Sequence, residues 1–210
     1  MHRAATSCEG FVLTGGQSSR MGRDKALLPF GGRPLAVWIA ERVKEVCGAV
    51  TLVGSRVKYS GLGLPVVEDT FSGQGPLAGI HSALLHSIAR FNLVVGCDMP
   101  YLSTAFLKRL LEIAQSGEAD VVVPESEAFG YEPLCAVYTG ACLAAMEEAL
   151  QAGQGPPSRQ NKISRVFARL RVRAVGPQEW LPYDPSGTLF RNVNTPEDYE
   201  RAQAELLGGH

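Results

Sequence analysis

The sequence predicts an α/β protein, a three-layer arrangement in which a mostly parallel, twisted sheet carries helices on both faces. Three observations predict it. Short apolar runs of strand length alternate with longer stretches whose apolar residues recur every three or four positions. Strand–helix–strand crossovers produce that alternation, and they give parallel pairing with both faces covered. The chain has 210 residues, 45% of them hydrophobic and 20% charged, which suits one sizeable core. Polar turns follow the runs that end near Leu13 and Gly96. Right-handed crossovers place the turns after parallel strands along a single edge of the sheet.

The elements follow in order. Gly10 to Thr14 is a short apolar run ending in glycines, a first strand. Pro34 to Cys47 carries Leu35, Ile39, Val43 and Val46 at helical spacing. Val50 to Val53 is a second strand and Leu64 to Val67 a shorter third. Pro76 to Ala89 reads as a helix opened by proline. Leu93 to Gly96 is a buried strand. Ser103 caps a helix bearing Phe106, Leu107, Leu110 and Leu111. Val121 to Val123 and Leu134 to Tyr138 are further strands, and a helix runs from Gly140 to about Leu150. Thr195, Pro196, Glu197 and Asp198 combine a cap, a first-turn proline and first-turn acids, and so open the last helix. No internal repeat is visible. The most linker-like stretch, Ala152 to Ser158, is followed by too little chain for a second domain. A single domain over 1–210 is therefore expected.

Composition excludes several function classes. A formal charge of −1 gives no global field for nucleic acid or a membrane surface. No apolar run approaches the roughly 20 residues that span a bilayer. The first ten residues lack the apolar core of a secretory signal. Five widely spaced cysteines, with no C-x-x-C, speak against a disulfide framework or a thiolate zinc site. Reduced thiols in a cytoplasmic protein are the simpler expectation. His81 and His86 are five apart, which is not the spacing of a helical metal pair.

The chemistry gathers in the stretch LTGGQSSRMGRDKALL, Leu13 to Leu28. Glycines at 15, 16 and 22 follow a strand, Ser18 and Ser19 add hydroxyls, and Arg20, Arg23 and Lys25 add charge. Such a loop turns backbone N–H groups toward a phosphate chain, and the cations neutralise it. The spacing is neither a Walker A motif nor G-x-G-x-x-G. Asp98 follows the apolar run LVVGC, at the carboxyl end of a strand, where a carboxylate is well placed for magnesium. Alone, it is as readily a turn aspartate; beside Arg20 and Lys25 it becomes a metal candidate. From Ala149 to Gln178 there is no acid, while Arg159, Lys162, Arg165, Arg169, Arg171 and Arg173 all fall there. Ile163, Val166, Phe167 and Leu170 between them read as an amphipathic helix, either a solvated basic face or a cradle for an anionic acceptor.

The Leu13–Leu28 stretch resembles the signature of the molybdenum cofactor guanylyltransferases, L-x-G-G-x-S-x-R-M-G-x-D-K-x-L-L, and meets it at every fixed position. The resemblance continues in order through Glu68-Asp69, Gly75-Pro76-Leu77-Ala78-Gly79, Cys97-Asp98-Met99-Pro100 and Asn192-Val193-Asn194-Thr195-Pro196. It implies a Rossmann-like fold of the nucleotidyltransferase type and a magnesium-dependent transfer of GMP from GTP to molybdopterin, with or without bound molybdenum. Position by position, it implies that Leu13, Thr14, Gly15 and Gly16 line the base and phosphates, that Lys25 contacts phosphate, and that Asp69 sits by the nucleoside. Asp98 would hold the metal, with Asn194 as second ligand. Arg20, Lys25 and Asp98 would be the catalytic set, and Arg20, Gly22 and Asn192 would meet the acceptor. Val53 and Gly54 stand where some relatives carry an asparagine that contacts the base, so that contact would be missing or made by backbone. Glycine at 15, where CTP and sugar-phosphate relatives have alanine, favours the larger purine. Glu132 stands where many relatives have histidine or glutamine, an odd choice near an anion. Transient contacts with other cofactor-synthesis proteins are implied. The competing readings are a cytidylyl or sugar-phosphate transferase of the same fold and a nucleotide-binding regulator without turnover.

Overall fold

The computed structural model describes residues 7–14, 24–71, 73–127, 130–152, 163 and 165–208. Gly15, Gly16, Arg20 and Gly22 therefore lie outside the described residues, as do Arg159 and Lys162.

The strands β1 (Cys8–Leu13), β4 (Val50–Val53), β5 (Val66–Val67), β6 (Phe91–Gly96), β7 (Val121–Ser126), β8 (Gly130–Tyr131), β9 (Cys135–Tyr138) and β10 (Val172–Val175) form one sheet. Its order is β10-β7-β9-β6-β1-β4-β5, with β8 paired to β7. A separate small hairpin joins β2 (Pro29–Phe30) to β3 (Arg33–Pro34). Parallel pairing links β1 to β4 and β6, β4 to β5, and β10 to β7; β9 runs antiparallel between β6 and β7. The expected alternation is thus present, with β8, β10 and the hairpin added. Each is too short or too charged to stand out by pattern.

The helices are α1 (Leu35–Cys47), α2 (Arg56–Tyr59), α3 (Pro76–His86), α4 (Thr104–Ser116), α5 (Leu143–Gln151), α6 (Pro177–Trp180) and α7 (Pro196–Leu207). The caps behave as the residue types require. Ser103 accepts from the N–H of Phe106, and Thr195 with Asp198 forms a reciprocal capping box. No described helix is long and apolar enough to cross a membrane.

Two apolar layers lie on opposite faces of the sheet. Val12 of β1, Leu93 and Val95 of β6 and Val137 of β9 pack with α1 and α4. Phe11 and Leu13, Val94, and Ala136 and Tyr138 of the same strands pack with α3 and α5. Period-two alternation sends side chains to both faces, and both are covered, so the central strands read as unbroken apolar runs.

The chain enters at β1, builds outward to β4 and β5, then returns to place β6 on the other side of β1. The reversal opens a crevice at the carboxyl ends of β1 and β6, where open α/β sheets bind ligands. The register sets Leu13 beside Gly96 there. Because β9 is antiparallel, its leading residues, Glu132 to Leu134, come to this same edge, and the N–H of Gly96 donates to the carbonyl of Leu134 at 2.8 Å.

Candidate active site

Three side chains from distant parts of the chain converge on the crevice. Lys25 rides on a short 3-10 turn, Lys25–Leu27, capped by Asp24. Its ammonium donates to Oδ1 of Asn194 at 2.8 Å and stands 4.0 Å from Oδ2 of Asp98. Asp98 follows β6, and its carbonyl accepts from the N–H of Val193 at 2.8 Å, which docks the 192–194 segment onto it. Asn194 is held in turn by Asp198, whose carboxylate accepts from the backbone N–H of both Asn194 and Thr195 at 3.0 Å. The capping box of α7 therefore fixes the asparagine that meets Lys25. Val193 is buried between its two asparagines, and Oδ1 of Asn192 is buried without a donor among the described residues.

The electrostatics suit a cationic ligand. Burial raises the Asp98 carboxyl above its ordinary range, and Lys25 works against that rise. Burial also pushes Glu132 up to about 7; the N–H of Leu134 opposes this and the Asp98 charge adds to it. Two carboxyls thus share one partly desolvated edge with the Lys25 ammonium. A Cβ on Gly96 would come 2.8 Å from Oδ1 of Asp98 and so displace that carboxylate.

The donor chemistry fits magnesium. The Asp98 carboxylate and the Asn194 amide oxygen are hard ligands, and no group of three or more His, Cys, Asp or Glu side chains placed to hold a metal occurs among the described residues.

The remaining sequence candidates fall around this centre. The Leu13 side chain is buried in the core, and its carbonyl accepts from the N–H of Cys97 at 3.1 Å. Thr14 is buried, with its hydroxyl committed to the Val53 carbonyl at 2.9 Å. Gly54 lies against Thr14 and Tyr59; a Cβ there would come 2.3 Å from the Thr14 hydroxyl and 2.9 Å from the Tyr59 ring. Asp69 lies after β5, where its Oδ1 accepts from the N–H of Phe71 at 3.0 Å and from the Ser82 hydroxyl at 3.4 Å. Burial raises its pKa, against these two hydrogen bonds and His81. The described contacts join Lys25, Asp98 and Asn194, and leave Asp69 in its own turn.

The basic stretch is corrected by the fold. Residues 163 and 165–167 are helical, but 168–170 form a turn and Arg173 lies on β10. Arg169 pairs with Glu148 at 2.5 Å, Arg171 with Asp120 at 2.8 Å and Arg173 with Glu179 at 2.6 Å. Their charge is met by acids from other elements. Conversely, the reading of single residues passed over Asp24, Lys58 and Tyr59, which meet next to Thr14. Only Asp24 carried a signal, as a fixed position of the glycine-rich motif.

Comparison with known proteins places the chain in a family. Residues 10–173 match the MobA-like NTP transferase domain. The chain belongs to the MobA-like NTP transferase family, and within it to the molybdenum cofactor guanylyltransferases. It is 34% identical over 202 residues to the molybdenum cofactor guanylyltransferase of Desulfosudis oleivorans, covering 95% of this chain and 96% of that one. It is 37% identical over 196 residues to a probable molybdenum cofactor guanylyltransferase of Pelotomaculum thermopropionicum, covering 92% and 91%. Among solved structures, the molybdopterin-guanine dinucleotide biosynthesis protein A of Archaeoglobus fulgidus superposes with a TM-score of 0.80 at 26% identity, over 96% of this chain and 100% of that one. The family's nucleotidyltransferase fold is the mostly parallel α/β/α sheet described above.

Proposed function

We propose that this nucleotidyltransferase moves GMP from GTP to the terminal phosphate of molybdopterin, with or without molybdenum bound, and releases pyrophosphate. The observation that carries the reading is the convergence of Lys25, Asp98 and Asn194 at the carboxyl ends of β1 and β6. The named relatives support the choice of nucleotide and acceptor. Gly15 adds a sequence argument for the purine.

The acceptor phosphate is already ionised near neutral pH, so no general base is needed. The barrier is electrostatic, because two polyanions must meet and a third must leave. Lys25, with Arg20 from the glycine-rich motif, neutralises phosphate charge. Asp98 and Asn194 would hold magnesium, which screens the α-phosphate and the incoming phosphate when bound. Asn194, fixed by the capping box, holds Lys25 in reach of Asp98. The buried Oδ1 of Asn192 is an acceptor in want of a donor, which suits contact with the pterin or ribose N–H and O–H groups. In this reading residues 1–100 mainly take the nucleotide and 101–210 the acceptor, in the cytoplasm, with transient hand-over from other cofactor-synthesis proteins.

The test is pyrophosphate release by the purified protein with molybdopterin and magnesium, comparing GTP, CTP and ATP. Release with GTP alone is expected. Release with CTP instead would keep the chemistry and overturn the choice of base. GTP binding without release from any nucleotide would favour the regulator.

A further inference from the structure

Tyr59 occupies a position that neither the motif nor the family resemblance marks. It closes α2, is 3% exposed, and points its hydroxyl between two acceptors. One is the carbonyl of Thr14 at 3.0 Å, and the other is Oδ2 of Asp24 at 2.9 Å. Thr14 and Asp24 are the residues on either side of the 15–23 stretch, so one phenol ties together the two ends of the glycine-rich motif. Lys58, its neighbour, donates to the same Asp24 oxygen at 3.1 Å. The other Asp24 oxygen accepts from the N–H of Ala26 at 3.2 Å and so caps the turn that carries Lys25.

We infer that Tyr59 is a positioning residue of the phosphate site: through Asp24 it holds the turn bearing Lys25 against the end of β1. The inference rests on the proposed reaction, because it assigns Lys25 to phosphate. The logic is one of hydrogen-bond supply. A phenol has one proton and here faces two acceptors; the charged carboxylate is the stronger draw, with the buried carbonyl second. Burial, then the bond to Asp24, raise the Tyr59 hydroxyl well above its ordinary range, so it stays a donor at any physiological pH. The ring is buried and lies against the Gly54 backbone, where an added Cβ would come 2.9 Å from it. A rigid phenol fixes Asp24, Asp24 fixes the turn, and the turn aims the ammonium at Asn194 and Asp98.

The test uses Tyr59→Phe, which keeps the ring and removes the hydroxyl. Steady-state pyrophosphate release and GTP binding are measured well below the unfolding temperature, in the wild-type and Lys25→Met backgrounds. The expected result is a fall of about tenfold or more in kcat/KM, in line with the loss of a hydrogen bond to a charged group. GTP affinity should fall in the wild-type background and change less than about twofold once Lys25 is gone. A residue with only a structural role would lower the unfolding temperature and leave this coupling at zero. Activity within about twofold of wild type, or an equal loss of affinity in both backgrounds, would overturn the inference. Should Tyr59→Phe not fold, Asp24→Asn carries the test, because it keeps the shape and removes the charge through which Tyr59 acts. A fall of about threefold or more is then expected, and an unchanged value overturns the inference. A wild type that releases no pyrophosphate with any nucleotide sinks the functional reading and this inference with it. An active wild type matched by Tyr59→Phe sinks this inference alone.

Discussion

Asp98 sits between two opposed influences, burial that favours its neutral form and Lys25 that favours its charged one. A bound divalent cation would settle the balance toward the carboxylate. Asp98→Asn keeps the shape and removes the charge. Pyrophosphate release should fall by about a hundredfold or more, in the range set by losing a transition-state electrostatic contact, with a circular dichroism spectrum like that of wild type. Full turnover in that variant would remove Asp98 from the mechanism. Glu132 makes a different prediction. Its pKa rises from an ordinary 4.5 to about 7 on folding. Between those values the folded state holds the proton more tightly than the unfolded chain, so stability falls as pH rises through this window and stays low above it. Glu132→Gln removes the titration. Its melting temperature should match wild type near pH 4 and exceed it by several degrees at pH 8; parallel curves for the two proteins would contradict this account. The oddity of an acid at this position was visible in the sequence. Its nearness to Asp98 was not, because that depends on β9 running antiparallel.

At the scale of elements, local signals were the legible ones. Ser103 and Thr195 cap the helices they precede, because a cap is decided by residues three positions away. The central strands were legible as apolar runs because both faces are buried. Contacts made across the chain were not legible. The acids that meet Arg169, Arg171 and Arg173 come from 21 residues away, 51 residues away and the following helix. Tyr59 was invisible for the same reason, being 45 residues from Thr14 and 35 from Asp24. The capping box of α7 does double duty, since Asp198 also holds the backbone of Asn194. Thr195→Ala should cost about 1 kcal/mol of stability, read from denaturant unfolding. It should also lower kcat/KM severalfold by loosening Asn194. A stability loss with unchanged kinetics would separate the cap from the site.

At the scale of the molecule, the sheet order is what assembles the site. The reversal after β5 brings Asp98 beside the end of β1, and the last helix returns to seat Asn194 over both. Residues at 25, 98 and 194 thus meet although no local pattern links them. The described assembly is a charge-neutralising cleft, which suits phosphoryl chemistry between two anionic substrates. The most direct measurement is pyrophosphate release from GTP, CTP and ATP by the wild-type protein with magnesium and molybdopterin. The account predicts release with GTP alone, one pyrophosphate for each molybdopterin consumed. GTP bound yet unchanged in the presence of molybdopterin, with no release from any nucleotide, would contradict it.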